Sequence, residues 1–578
     1  MPFLDLQRQV QKASFQNPTM KIALLGDVST QFLKIAIQGV GLKEGAKIQV
    51  YESPYDVIQQ EVFDSESFLY KKKPDAIVLY FSSEKLLSRF YQTEEACRSG
   101  FAENFLSTLR VLFDTITTLL PKTSILIYDF IERDDGVFGN YALKCEESFL
   151  FQIRKINLLL SEEAEKRKNL FPISLASLAL EKGMENFSSY PLYDSSRVTI
   201  RTDDLEEVAQ RTVALLLALR GRIRKGIILD LDNTLWGGVI GDDGIDKIEI
   251  GELGRGRSFL RFQQYLKELK ERGIILCVCS KNDDEKAKEP FLRHPEMALR
   301  LDDFVLFIAN WEDKATNIRL IQSTLNIGMD SLVFLDDNPC ERNLVRSLIP
   351  DIIVPELPSD PSLYVSYLSS LDLFEVPSLS AEDRKRADQY RSEGKRLESK
   401  AKFSTLEDYL KDLGMVSQYS SFRKEDYPRL SELSLRSNQF NLRTVRYSEE
   451  EIRKIAMDPE CLTYEFHLKD RYGDSGLISE VILKKQGDSL LIDTWLMSCR
   501  VLKRTMEAFI INTLTEEAKK NHFRTLVGEY LPTLKNAMVK GLYEEMGFTP
   551  KKDGKWIADV TEKKPLVTYI TGESYDGK

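Results

Sequence analysis

The chain has 578 residues, enough for about three domains at roughly 100–200 residues each, and its 42% hydrophobic and 29% charged content is that of an ordinary globular protein. No window approaches the ~20 apolar residues of a membrane span, and the first residues lack a basic stretch followed by an apolar core, so neither a span nor a secretory signal is expected. A net charge of −10 counts against a nucleic-acid partner, and seven scattered cysteines fit a reducing cytoplasm rather than a disulfide framework.

In chain order, residues 1–222 alternate apolar runs with amphipathic stretches. Strands are expected at Lys21–Leu25, Ile48–Tyr51, Ala76–Phe81 and Ser124–Phe130, with helices at Asn104–Leu119 and Leu143–Glu165. Short buried strands between helices imply a parallel sheet covered on both faces, an α/β domain. A second α/β pattern fills residues 223–376, with strands Gly226–Leu229, Ile274–Cys279, Phe304–Ile308 and Leu332–Leu335. Residues 377–400 form a charged stretch that reads as a linker helix, with Ser380 and Asp383 at its start. Residues 401–578 carry β signals at Leu462–Leu468, Ile478–Lys484 and Ser489–Leu496. Helix Leu502–Lys519, strand Thr525–Gly528 and helix Asn536–Met546 follow.

The chemistry concentrates in Gly226–Ile240, GIILDLDNTLWGGVI. Asp230 and Asp232 stand two apart at the end of an apolar strand, so their side chains leave on the same side, at the carboxyl edge where parallel sheets place ligands. Paired carboxylates need a cation to offset their repulsion, and hard oxygen donors favour Mg²⁺. Three histidines (His294, His467 and His522) exclude a His-rich metal centre. Downstream, Ser280 ends the apolar run IILCVC, Lys314 lies in NWEDKATNI, and Asp336 and Asp337 follow LVFL. Cys277 and Cys279 sit in a buried strand and read as structural.

These four elements, in this order, resemble the four motifs of the haloacid dehalogenase (HAD) superfamily. The resemblance implies that Asp230 is the nucleophile, and that Asp232 protonates the leaving group and then activates water. It assigns Thr234, Ser280, Lys281 and Lys314 to phosphate binding, with Lys314 offsetting charge. Asp230, Asp336 or Asp337, and the main-chain carbonyl of Asp232 would hold Mg²⁺. HAD enzymes often carry a cap, but Asp232–Ser280 holds only a Gly-rich flap (Gly237–Gly254) and one helix (Phe259–Glu271), and Ser280–Lys314 is also short. A capless, Rossmann-like site is expected, open to bulky substrates.

The blocks KGIILDLDNTLWGGVIGDDG, CSKND, NWEDKATNI and FLDDNP look like HAD subfamily IIIC, and specifically the FkbH-like proteins. Four further blocks agree: Leu435–Thr444, Asp470–Ile478, Leu496–Val501 and Gly528–Phe548. The family implies a GNAT-like acyltransferase fold for the third region. GNAT enzymes usually carry two glycines before the long helix, where bare amides hold the pyrophosphate of an acyl-CoA. Here Lys503 and Thr505 replace both; they would crowd a pyrophosphate, although Lys503 and Arg504 offer charge to one. Some FkbH-like proteins take a glyceryl group from 1,3-bisphosphoglycerate and load it on an acyl carrier protein, whose phosphopantetheine thiol forms the thioester. Cys499 beside Arg500 would then be an acyl acceptor; the plainer reading is a small apolar filler.

At the N-terminus, Gly26-Asp27-Val28-Ser29 resembles the first block of SGNH hydrolases, and Gly139-Asn140 their glycine–asparagine block. Val28 stands at the nucleophile position, and no histidine precedes His294. A catalytically degenerate SGNH- or flavodoxin-like domain is therefore expected, with Asp194 and Arg197 near the place of the missing acid–base segment. The functional expectation is a cytoplasmic, Mg²⁺-dependent phosphatase or phosphotransferase acting on a small phosphorylated metabolite, with an acyl carrier protein as a further partner. The alternatives are a GNAT-type N-acyltransferase with an auxiliary HAD domain, and a non-enzymatic scaffold in a polysaccharide or polyketide-type pathway.

Overall fold

The computed structural model describes all residues except 1, 380–389, 391, 393–395, 397–398, 400–402, 438–439, 499–500, 534–535, 552–553 and 575–578. The Ser380–Asp383 cap, Cys499 and Arg500 therefore lie outside the described residues. By internal contacts the chain divides into two units, Met1–Leu217 and Ala218–Lys578.

The first unit is built on five strands: β1 (Met20–Gly26), β2 (Ile48–Glu52), β3 (Ala76–Tyr80), β4 (Ser124–Tyr128) and β5 (Leu170–Ile173). All pair in parallel, in the order β2-β1-β3-β4-β5, one of the doubly wound arrangements. Ile77, Leu79, Ile125 and Ile127 are fully buried, which explains why these strands read as unbroken apolar runs. Helices Phe101–Leu119 and Phe149–Lys166 share the core with the sheet. The second starts later than its apolar pattern. Ser148 caps it by accepting from Phe151 N, and Gly139–Lys144 is a separate 3₁₀ turn. Buried Gln152 ties both helices, accepting from Ala102 N and donating to Ser99 O and Glu146 O.

In the second unit, β6 (Gly226–Leu229), β7 (Ile275–Ser280), β8 (Phe304–Ala309) and β9 (Leu332–Leu335) form a parallel sheet ordered β8-β7-β6-β9. Between β6 and β7 lie a flap with one four-residue helix, Ile240–Asp243, and helix Gly256–Glu271. Gly237 and Glu249 exchange both main-chain hydrogen bonds at the flap's base. A Cβ on Gly237 would meet Glu249 Cβ and Phe259 at 3.0 Å and the Glu249 carboxylate at 2.5 Å, so a side chain there would crowd this crossing. No cap domain is inserted between these strands.

A second sheet follows, of eight strands: β10 (Met415–Ser420), β11 (Cys461–Asp470), β12 (Gly473–Gln486), β13 (Ser489–Met497), β14 (Thr525–Glu529), β15 (Thr549–Pro550), β16 (Lys555–Asp559) and β17 (Ile570–Ser574). Their order is β15-β16-β14-β13-β12-β11-β10-β17. Helix Met506–Lys520 packs its apolar side into the sheet's core beside Trp495, Phe466 and Leu526. Two expectations need correction here. The helix begins at Met506 rather than Leu502, because Lys503 and Thr505 adopt positive φ (63° and 62°) and break the approach. Asn536–Met546 is two short turns, Ala537–Val539 and Leu542–Glu545, because the Asn536 side chain is drawn back to the main chain at Asn441 and Leu531.

Candidate functional site

Pairing that continues past the strand ends assembles the central site. Asp230 N donates to Leu335 O (2.9 Å), which sets Asp230 beside Asp336. Asn310 N donates to Ser280 O (3.1 Å), which brings the loop carrying Lys314 against the end of β7. Asp313 caps the next helix through Thr316 N, so Lys314 projects from its first turn. Asn233 takes a positive φ of 54°, a conformation Asn tolerates, and its side chain receives Gly238 N at the start of the flap. Burial is high: Asp230 is 6% exposed, Asp336 fully covered, Lys314 3% exposed.

Lys314 Nζ lies 3.0 Å from Asp230 Oδ1 and 2.6 Å from Asp336 Oδ2. Burial works against its charge, but the carboxylates of Asp230 and Asp336 outweigh burial and hold its pKa above the ordinary lysine value. Asp336 is pushed up to about 6 by burial and then by the charge of Asp230, with Lys314 opposing. Asp337 is pushed up to about 6 by burial and by Asp230. One lysine thus leaves the acids under-compensated. Carboxylate oxygens of Asp230, Asp336 and Asp337 all lie within 4.8 Å of one another, so a hard divalent cation fits this donor set on both charge and spacing. Arg342 fixes the far side, donating to Asp336 O (2.8 Å) and Asp337 O (2.7 Å).

The other expected residues fall around this centre. The Asp232 carboxylate is held away from it: Oδ1 accepts from Trp236 Nε1 (3.0 Å) and Ile240 N (2.9 Å), and Oδ2 from Asn282 Nδ2 (2.9 Å). Its side chain is therefore engaged by these donors and is not one of the three clustered carboxylates. Ser280 is buried, and its Oγ accepts from Asn282 Nδ2 at 3.1 Å. Thr234 is buried and accepts from Asp337 N (3.2 Å), so it positions Asp337. Lys281 Nζ is paired with Glu341 at 2.6 Å. Sequence reasoning missed Asn282, which joins Asp232 to Ser280, and Trp236; both lie inside blocks singled out for other residues. Cys277 and Cys279 are buried, and burial pushes both thiols up to about 12, as expected of inert structural cysteines.

Elsewhere, Asp426, Glu465 and His467 also cluster, but Arg423 already fills that space, 2.6 Å from Asp426 and from Glu465 and 3.1 Å from His467. In the first unit, Val28 is buried, and Ser29 N is bonded to the carbonyl of Arg197 (2.9 Å). The segment expected near the Gly26-Asp27 turn does reach it, through main chain. Asp194 and Asn140 are exposed.

A capless parallel sheet with acids at the ends of β6 and β9 and a lysine between them is a HAD-type phosphoryl-transfer fold. The family model of the FkbH N-terminal domain matches residues 21–217. A solved structure of the N-terminal part of the protein BF1531 from Bacteroides fragilis, containing a phosphatase domain complexed with Mg, is 41% identical. The match covers 65% of this chain and 99% of that one, with a TM-score of 0.63. The chain belongs to the FkbH-like proteins of the HAD superfamily. Two acetyltransferase structures are similar over a smaller part. The ribosomal-protein-S18-alanine N-acetyltransferase from Escherichia coli is 17% identical over 26% of this chain and 99% of its own, with a TM-score of 0.20. The GNAT domain of S. lividans PAT is 16% identical over 24% and 89%, with a TM-score of 0.20. The curated proteins give no match. No helix among the described residues is long and apolar enough to cross a membrane.

Proposed function

We propose that this chain is a Mg²⁺-dependent phosphatase or phosphotransferase of the HAD subfamily IIIC type, acting on a small phosphorylated metabolite. The observation that carries the reading is the cluster of buried Asp230, buried Asp336 and half-buried Asp337, with one lysine bonded to the first two and Asp232 held separately by three donors. In this reading Asp230 Oδ attacks phosphorus while the bond to the leaving oxygen breaks, and Asp232 gives that oxygen its proton. A water then attacks the aspartyl-phosphate, Asp232 takes its proton, and phosphate leaves with Asp230 restored. Lys314 neutralises the nucleophile, and Ser280, oriented by Asn282, donates to the phosphoryl oxygens. Mg²⁺, held by Asp230, Asp336 or Asp337 and the Asp232 carbonyl, would supply charge neutralisation for the phosphoryl group.

The phosphatase domain of the Bacteroides fragilis structure and the Mg complexed with it support both the chemistry and the metal of this reading. The reading includes a boundary within the second unit at residues 377–400, and an acyl acceptor role for Cys499 beside Arg500 if the released group is passed to an acyl carrier protein. Phosphate release from a panel of phosphorylated three-carbon metabolites and acyl phosphates, with Mg²⁺ and with chelator, tests it. Release should require Mg²⁺ and vanish in Asp230→Asn. Equal release by that variant would sink the assignment.

A further inference from the structure

The C-terminal sheet resembles an acyl-CoA-binding fold at the level of its elements, which sets two requirements that its residues either meet or fail. An acyl-CoA presents a pyrophosphate, which needs bare main-chain amides, and an extended pantetheine arm with two amides, which needs unpaired strand edges. The start of the long helix Met506–Lys520, which follows β13, is the place that corresponds to the first requirement. The second requirement is met where β13 and β14 part. They pair in parallel only from Ser489–Thr525 to Leu491–Val527; beyond that they no longer bond to each other, β13 keeping β12 on its far side and β14 keeping β16.

Both places are filled by the chain itself. At the helix start, Lys503 N donates to Glu507 Oε1 (3.4 Å), so a carboxylate already takes an amide that an anion would use. The Thr505 hydroxyl accepts from Tyr569 N (3.2 Å) and lies 3.2 Å from Thr568 Oγ1. Arg504 is turned away: its guanidinium is 7% exposed and 3.5 Å from Asp470, which also holds Arg396 at 2.7 and 2.8 Å. Of the two charges that the sequence offers to a pyrophosphate, that of Arg504 is therefore committed inside the fold, and the exposed Lys503 is left beside a main-chain amide already bonded to Glu507.

In the parting of the strands lies Phe440–Arg443. Asn441 forms an antiparallel bridge with Leu496 of β13, and Met497 N donates to Phe440 O (3.4 Å). On the other side, Leu531 N donates to Leu442 O (2.8 Å). Fully buried Asn536 clasps the insertion, donating to Asn441 O and to Leu531 O, both at 2.9 Å. Arg443 spans the gap, bonded to the carbonyl (3.0 Å) and carboxylate (2.7 Å) of Asp493 on β13 and 2.8 Å from Glu529 on β14. The edges that an amide-bearing arm would need are thus already paired.

We infer that the C-terminal sheet of this chain is closed to acyl-CoA: Glu507 and Thr505 fill the helix start, and Phe440–Arg443 fills the parting of β13 and β14. The inference stands independently of the phosphoryl-transfer reading. Isothermal titration of the full chain with acetyl-CoA tests it, together with hydrogen exchange on the same protein. No saturable heat is expected up to about 1 mM. The Met497 and Leu531 amides should be protected without ligand and remain so with it. Saturable binding with a dissociation constant below about 1 mM overturns the inference. So does finding those two amides exchanging as fast as exposed loop positions.

Discussion

Replacing Lys314 by alanine tests the electrostatics of the central site most severely. The lysine is 3% exposed and lies 3.0 and 2.6 Å from two buried carboxylates, with a third carboxylate within 4.8 Å of both. At an effective dielectric near 20, unit charges about 4 Å apart interact by about 4 kcal/mol. Removing one partner of a buried ion pair costs about 3–5 kcal/mol, because the remaining charges are left uncompensated. In chelator, Lys314→Ala should therefore lose about 3–5 kcal/mol, read from urea unfolding followed by the fluorescence of buried Trp236. With Mg²⁺ that loss should shrink, since a divalent cation takes over the neutralisation. Turnover should still fall about 10²–10³-fold, the usual effect of removing one electrostatic donor from the transition state. A variant as stable as the parent in chelator, or one that turns over at the parent's rate, would refute this reasoning.

Asn282→Ala releases Asp232 Oδ2 and Ser280 Oγ at once. It should lower kcat about tenfold, equivalent to about 1.4 kcal/mol, with a smaller change in KM. Steady-state phosphate release decides that. Asp27 in the first unit is buried beneath Ser82 N, and burial pushes it from 3.8 up to about 7. Its folded pKa is raised, so its contribution to stability is fully present below pH about 4 and is lost as pH rises through about 7. Asp27→Asn should flatten the stability of the first unit between those values, and an unchanged slope in urea midpoint against pH would contradict it.

Much of this architecture was legible because buried parallel strands write themselves as unbroken apolar runs: Gly226–Leu229 and Leu332–Leu335 fall where the hydropathy places them. Strand Leu170–Ile173 was not legible, since it is short and carries Pro172 at the sheet's edge. The carboxylates and lysine of the site could be read from motif order alone. The donors that orient Asp232 could not, because they depend on a flap folding back over β6 and a loop returning from β7. Three-dimensional closure also hides what Glu507 and Arg443 do. In sequence, each is one more charged residue; in the fold, each stands in a place that a ligand would need.

The central claim is that Asp230 carries the phosphoryl group. Borohydride reduction of the full chain during turnover of an acyl phosphate, followed by peptide mass spectrometry, tests it directly, because reduction of an aspartyl-phosphate leaves homoserine at that position. The account predicts homoserine at position 230, dependent on Mg²⁺ and missing from Asp230→Asn. Homoserine at another aspartate, or Mg²⁺-dependent phosphate release with Asp230 unmodified and dispensable, would contradict it.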